Sequence, residues 1–251
     1  MTSAEIRGKF YDIYNEWSDI TLDQFIKLCD IEIPEKLLKL WRAETDEEYD
    51  RVKVEPEDVL RTFPDYFGKV IKVLTSIPEE IVDLMDGALR EQFFNFSFRH
   101  FVLSIGSPLP FTLEKNELIE YEPPYLESFE VNGETYFLPR TLRVFGEDVP
   151  LAEEHIMTFA EASAIELAWM NLANDVANRI PAFVALYCRK EGEGYNEKEV
   201  LKREKLFRYL KMNIVWRLFF CITELKEKYE ISTLQYLRGV TRIVDESVRV
   251  D

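Results

Sequence analysis

Ile20-Thr21-Leu22-Asp23-Gln24-Phe25 holds, within six residues, the instructions for starting an α-helix. The Thr21 hydroxyl can accept a hydrogen bond from the backbone N–H of Gln24, and the Gln24 side chain can reach back to the Thr21 N–H. Ile20 can pack on Phe25 across the first turn. Two of the N–H groups that a helix start leaves without partners are thereby satisfied at fixed spacing. The same grammar recurs in Tyr195-Asn196-Glu197-Lys198-Glu199-Val200, in Ile231-Ser232-Thr233-Leu234-Gln235-Tyr236 and, with a weaker apolar contact, in Met157-Thr158-Phe159-Ala160-Glu161-Ala162. Four such starts along one chain predict a mainly α fold.

Apolar spacing between these starts is mostly helical. Phe25, Leu28 and Cys29 form one stripe, Leu37, Leu40 and Trp41 a second, and Val70, Ile71 and Leu74 a third. Pro34 and Pro78 suit a first helical turn, where the N–H they lack has no partner to lose. Leu84 to Gln92 reads as helix. The run Phe93, Phe94, Phe96, Phe98 and Phe101 mixes two-fold and helical spacing, and is assigned to a buried helix ending near Gly106. Thr158 to Arg189 reads as an Ala-rich helix with Ala160, Ala164, Ala168 and Leu172 in register, kinked or split at Pro181. Gly192 and Gly194 stop it. A helix from Asn196 would carry Val200, Leu201, Leu206, Phe207 and Leu210 inward and Lys198, Lys202 and Lys205 outward, and another is expected over Ile214 to Tyr229.

The middle differs. Ser128-Phe129-Glu130-Val131, Asn132-Gly133 and Glu134-Thr135-Tyr136-Phe137-Leu138 make a hairpin signal, because Asn-Gly accepts the positive φ angles of a type I′ turn. Thr141 to Phe145 offers a third strand. The expected architecture is a helical, bundle-like body with a small antiparallel β-hairpin module in the middle. It comprises an acidic helical stretch at 1–112, the β module at 113–150 and a helical stretch at 151–251. No linker composition separates the three, so a single continuous body is expected.

The 251 residues are 47% hydrophobic, enough to bury a core of one large or two small domains. The net charge of −16 argues against direct nucleic-acid or anionic-membrane binding, which needs clustered Lys and Arg. Charge is polarised: residues 1–112 carry −9, 113–150 carry −6 and 151–251 only −1. Cys29, Cys188 and Cys221 are odd in number and widely spaced, which fits neither a disulfide framework nor a zinc site. The opening residues lack a signal-peptide core. The most apolar window, Ile214 to Ile222, contains Arg217 and falls short of the ~20 residues a spanning helix needs. A cytosolic setting is expected.

Chemistry is sparse. With His100 and His155 as the only histidines, a hydrolytic triad or multi-histidine metal site is disfavoured. His100 reads as a core-edge side chain and His155 as an exposed residue at a helix start. Carboxylate candidates for Mg²⁺ or for acid–base work are Asp83 with Asp86 on one helix face, Glu161 with Glu166, and the run Glu44 to Asp58, which otherwise reads as a solvated face. No Gly-rich phosphate loop occurs. The set Lys198, Lys202, Arg203, Lys205, Arg208 and Lys211 is interleaved with Glu197, Glu199 and Glu204; Glu199 with Arg203 and Glu204 with Arg208 fit helix-supporting pairs. Its functional reading is a docking face on Lys198, Lys202 and Lys205 for an acidic partner or another copy.

From Phe129 to Ile222 the order of features resembles proteins of tailed-bacteriophage structural modules. It comprises a hairpin ending Tyr-Phe-Leu-Pro-Arg-Thr-Leu, the segment Gly146 to Pro150, the start at Met157, an Ala-rich helix, Tyr195-Asn196-Glu197, Arg203 to Phe207 and Trp216 to Phe220. The pattern is similar to tail-assembly-chaperone-type and virion-associated morphogenesis proteins. The resemblance implies a mostly helical, non-enzymatic protein without cofactor or metal. Its partners would be other phage structural or assembly proteins, or itself, in the host cytoplasm or the virion. Two rival expectations are an acidic DNA mimic that occupies a host nucleic-acid enzyme through the Glu44 to Asp58 carboxylates, and a carboxylate-metal hydrolase on Asp83, Asp86 and Glu161.

Overall fold

A computed structural model describes residues 2–106, 126–138, 141–143, 154–156, 159–172 and 175–225. The chain is mainly α-helical, with small two-stranded β pairings. It divides into two compact units, Met1–Glu122 and Pro123–Asp251, so that the predicted central hairpin shares a unit with the C-terminal helices.

The first unit opens with an antiparallel hairpin of β1 (Thr2–Ile6) and β2 (Lys9–Ile13), in register from Thr2 opposite Ile13 to Ile6 opposite Lys9. Its turn is Arg7-Gly8, with φ of 52° and 76°. Glycine takes that conformation freely, whereas Arg7 lacks the short polar side chain that usually announces such a turn, so this hairpin carries no Asn-Gly-type signal. Asp12 and Tyr14 fasten the hairpin to the helices: Tyr14 N–H donates to Leu74 O (2.9 Å), Ser76 N–H to Asp12 O (3.1 Å) and Asp12 N–H to Ser76 Oγ (2.8 Å).

Helix α1 (Leu22–Cys29) starts as its sequence dictates. Gln24 N–H donates to Thr21 Oγ1 at 3.3 Å, Thr21 N–H donates to Gln24 Oε1 at 2.9 Å, and Ile20 and Phe25 are buried. Gln24 Nε2 also donates to Val73 O (3.0 Å), so the capping residue ties α1 to a later helix. Then come α2 (Glu35–Arg42), α3 (Asp46–Arg51), a π-helical turn (Asp58–Thr62) running into α4 (Phe63–Leu74), α5 (Glu79–Asp83), α6 (Gly87–Ser97) and α7 (Arg99–Gly106).

The buried helix expected from Leu84 to near Gly106 is thus divided. Leu84 is exposed in a turn, Asp86 Oδ1 caps α6 by accepting from Leu89 N–H (2.8 Å), and Phe98 leaves helical geometry at φ −128°. The phenylalanine run nevertheless follows helical period. Phe94, Phe98 and Phe101 are buried at i, i+4, i+7, while Phe96 is 92% exposed. Phe94 centres the core: its ring lies 4.7 Å from Phe67, 5.5 Å from Trp41 and 5.9 Å from Tyr66.

In the second unit β3 (Ser128–Val131) and β4 (Glu134–Phe137) form the predicted hairpin, turning at Asn132 (φ 52°) and Gly133 (φ 77°). Phe129, Val131, Tyr136 and Leu138 are buried. The third strand, β5 (Thr141–Arg143), does not extend this hairpin; it pairs in parallel with β6 (Glu154–Ile156). The expected Ala-rich helix is two: α8 (Phe159–Leu172) and α9 (Val176–Tyr187), the latter capped by Asp175, whose Oδ1 accepts from Asn178 N–H (3.3 Å). Pro181 splits nothing and is buried inside α9. α10 (Glu197–Phe207) and a last helix, α11, covering 212–225, complete the unit.

The inner side of α8 is Glu161, Ile165 and Leu172: of the expected register only Leu172 is buried, and Ile165, with more apolar surface to bury than an alanine, and Glu161, paired with Arg189, turn inward in place of Ala164 and Ala160. Phe207 joins hairpin to helices, with ring contacts at 5.0 Å to Tyr136 and 5.4 Å to Phe129. The helix starts expected at Met157 and Ile231, and the end of the Ile214 helix beyond 225, lie outside the described residues.

Phe94→Ala is expected to cost ~3–5 kcal/mol of stability, and Phe96→Ala no more than ~0.5 kcal/mol. Urea midpoints at unchanged slope would measure both.

Candidate functional site

After α9 the chain runs extended through Cys188, Arg189 and Lys190 beside β4. Arg189 exchanges two backbone hydrogen bonds with Phe137, at 2.7 and 3.0 Å. Extended backbone sends neighbouring side chains to opposite sides. Arg189 therefore turns inward to a buried ion pair with Glu161 and donates to Leu186 O (3.3 Å), while Lys190 turns outward and meets Glu134 at 2.6 Å. A turn with Gly192 at φ 71° follows, and Asn196 Oδ1 caps α10 by accepting from Lys198 N–H (3.0 Å).

Val200, Arg203 and Phe207 make the inner side of α10. Arg203, 3% exposed, is ion-paired with Glu193 and donates through Nε to Ala185 O (3.1 Å). The expected Glu199–Arg203 pair is replaced by Glu199–Lys202 at 2.6 Å. In sequence Arg203 looked like one more surface cation. Its register with Val200 and Phe207 was the signal that it is not.

These residues enclose a cleft of about 600 Å³ between β4, the 190–194 turn and α10, walled by Tyr136, Glu134, Lys190, Glu193, Lys202 and Arg203. The Tyr136 hydroxyl donates to Glu134 Oε2 (2.9 Å), and Lys190 Nζ stands 5.9 Å from the Tyr136 ring centre. Hydrogen bonds from Lys190 and then from Tyr136 hold the Glu134 carboxyl below its ordinary range. Burial first, and the bond to Glu134 second, push the Tyr136 phenol up to about 12. The Lys202 hydrogen bond lowers the Glu199 carboxyl. Each of these shifts runs away from neutrality, which suits a fixed electrostatic surface better than proton transfer near pH 7. Burial also raises the Cys188 and Cys221 thiols, the opposite of what activates a nucleophilic cysteine.

The three lysines singled out in sequence are exposed on α10. Lys202 carries the bond to Glu199; no ion pair joins Lys198 or Lys205 to another described residue. Leu201, expected inward, is 53% exposed beside them, because Val200, Arg203 and Phe207 set the buried side. At 100° per residue, Lys198, Leu201, Lys202 and Lys205 fall within about 100° on the side opposite that buried stripe.

The carboxylate candidates do not stay together. Asp83 ends α5 and pairs with Lys72 (2.8 Å), whereas Asp86 precedes α6 as its cap, so they share no helix face. Glu161 is buried against Arg189, and Glu166 is exposed. Among the described residues no three His, Cys, Asp or Glu side chains come together as metal ligands would. His100 is exposed on α7, not at the core edge, and His155 lies in β6, not at a helix start. Within Glu44 to Asp58, Asp58 is drawn to Lys36 (2.6 Å), while Asp46, Glu47, Glu48 and Asp50 are exposed and ring α3 on several sides.

Fold and site together define a mainly α-helical protein with an ion-paired cleft and, beside it, a lysine-bearing helix face. Protein-family models, curated proteins and solved structures give no match to the chain.

Arg189→Ala is expected to cost ~3–5 kcal/mol by stranding the buried Glu161 carboxylate, and Glu161→Leu with Arg189→Met to cost less than Arg189→Ala alone; denaturant unfolding of both variants decides it. In alkaline titration, the phenolate signal lost in Tyr136→Phe should have its midpoint near 12, against the ~10 of a free tyrosine. Because the folded pKa is the higher one, this contribution to stability is present below pH ~10 and is lost as pH rises through the folded value.

Proposed function

We propose that this chain is a non-enzymatic protein of tailed-phage particle or tail assembly, acting by protein–protein contact, and that it docks an acidic protein surface on the exposed face of α10. The observation carrying this reading is the placement of Lys198, Leu201, Lys202 and Lys205 on one side of a helix whose other side is anchored by Val200, Arg203 and Phe207. A rigid helix showing cations around an exposed apolar side chain offers a contact centre with a steering field. The phage assignment draws its support from the Phe129 to Ile222 resemblance. That no described helix is long and apolar enough to cross a membrane accords with the partner being a protein.

Lys198→Glu, Lys202→Glu and Lys205→Glu together should weaken the complex with the structural proteins encoded beside this chain at least tenfold and abolish its salt dependence, without changing the unfolding free energy by more than ~1 kcal/mol, as befits exposed charges. Co-expression and size-exclusion chromatography read the complex. No complex with the unaltered chain, together with its absence from purified particles, overturns the reading.

A further inference from the structure

The first unit holds a cleft of its own, of about 570 Å³, among α2, α3, the π-helical turn, α4, α6 and α7. Leu37, Phe63 and Phe67 are buried where they line it, and Trp41 and Val52 are half-buried. Its charged groups, Asp50, Glu91 and Arg99, belong to exposed residues. Apolar walls with a few polar groups, in a volume of ~300–1,000 Å³, are the anatomy of a ligand pocket. Apolar surface also continues past the cleft. Tyr49 and Val59 line it while 56% and 52% exposed, and Leu60, next along the π-helical turn, is 78% exposed. Such turns recur at functional sites. A small molecule filling the cleft would leave Leu60 and the outer parts of Tyr49 and Val59 in water. A protein segment laid across the mouth covers them while one of its own apolar side chains enters the cleft. Charge then selects among segments. Asp50 and Glu91 make no ion pair among the described residues, and they outnumber the one lining cation among those residues, Arg99. The unit around them carries −12, so a basic segment is drawn in and an acidic one is repelled.

We propose that this cleft is a second docking site, which receives a basic segment of a partner protein. One large apolar or aromatic side chain of that segment fills the cleft, and Lys or Arg residues flanking it meet Asp50 and Glu91. The site lies in the other unit from α10 and takes a segment of the opposite charge. The buried anchor supplies most of the affinity, and the solvated carboxylates supply orientation and the preference for a basic sequence.

A random dodecapeptide display library selected on the full chain supplies the probe. Enriched peptides should carry a large apolar or aromatic residue flanked by Lys or Arg. A fluorescein-labelled enriched peptide, followed by anisotropy, should bind at least tenfold more weakly to Val59→Glu, and likewise to Asp50→Lys with Glu91→Lys. Its binding to Glu5→Lys with Glu80→Lys should stay within about twofold of the unaltered chain. That control changes the net charge equally, on exposed residues of the same unit that do not line the cleft. Every substituted position is exposed, so urea midpoints should stay close to that of the unaltered chain. A selection that enriches nothing, or enriches acidic sequences or sequences without the apolar residue, overturns the proposal. So does binding that survives both cleft variants, or an equal loss in the control, which would mean steering by the whole unit. Self-association of the full chain that Val59→Glu abolishes would make the occupant a second copy, and displacement of the peptide by an equal concentration of phenethylamine would make it a small molecule. Either result overturns the choice of a partner segment.

Discussion

The second unit is organised around Arg189. Its main chain exchanges two hydrogen bonds with Phe137 and so pins the hairpin to the end of α9, while its side chain reaches Glu161 on α8. One residue thus joins a strand and two helices. A guanidinium in an apolar interior is tolerable only with a carboxylate and carbonyl acceptors in place, and Glu161 and Leu186 O supply both. This constraint fixes where the chain must go next. With Arg189 turned inward Lys190 points outward, the turn at Gly192 follows, and Asn196 starts α10 against α9. The cleft and the lysine face are consequences of that one anchoring.

Arg203 repeats the device on α10, with Glu193 and Ala185 O in place of Glu161 and Leu186 O. The two buried cations differ from the surface lysines in chemistry as well as depth. A planar guanidinium can satisfy several acceptors at once and is only weakly hydrated, so it is the cation that an interior accepts, while Lys198 and Lys205 stay in water. The division between anchoring arginines and displayed lysines makes α10 rigid on one side and available on the other. Rigidity serves a docking surface, since little conformational freedom remains to be lost on contact.

The first unit has no comparable ionic anchor among its described residues. Its centre is the aromatic cluster of Phe94 with Trp41, Tyr66 and Phe67, which gathers α2, α4 and α6. Ring packing of this kind leaves the polar exterior free to accumulate charge, and α3 stands outside it with no buried residue of its own. It borders that cluster all the same, for Tyr49 and Asp50 line a cleft together with Leu37, Trp41, Phe63 and Phe67.

Local grammar was legible. The Thr21 box and the Asn132-Gly133 turn each depend on residues within a few positions of one another and form as written, whereas Asn196 caps α10 by accepting from Lys198 N–H, with Glu199 bonded to Lys202 instead of closing a box. The helical character of the whole follows from the same short-range signals. The sequence also placed Lys198, Lys202 and Lys205 outward, because period alone sets sides. What period cannot weigh is competition between candidates for the same inner side. Arg203 displaced Leu201 because its partners Glu193 and Ala185 O lie 10 and 18 residues away, and Glu161 turned inward because Arg189 awaited it 28 residues on. Asp83 and Asp86, one face of one helix by spacing, were separated by a turn that only packing of the neighbouring core imposes. Sequence determined the capped helix starts, the Asn132-Gly133 hairpin and the solvated lysines of α10, since those depend on backbone and neighbours. Tertiary structure decided which charges were buried, since a buried charge is stable only beside a partner that the chain brings from far away.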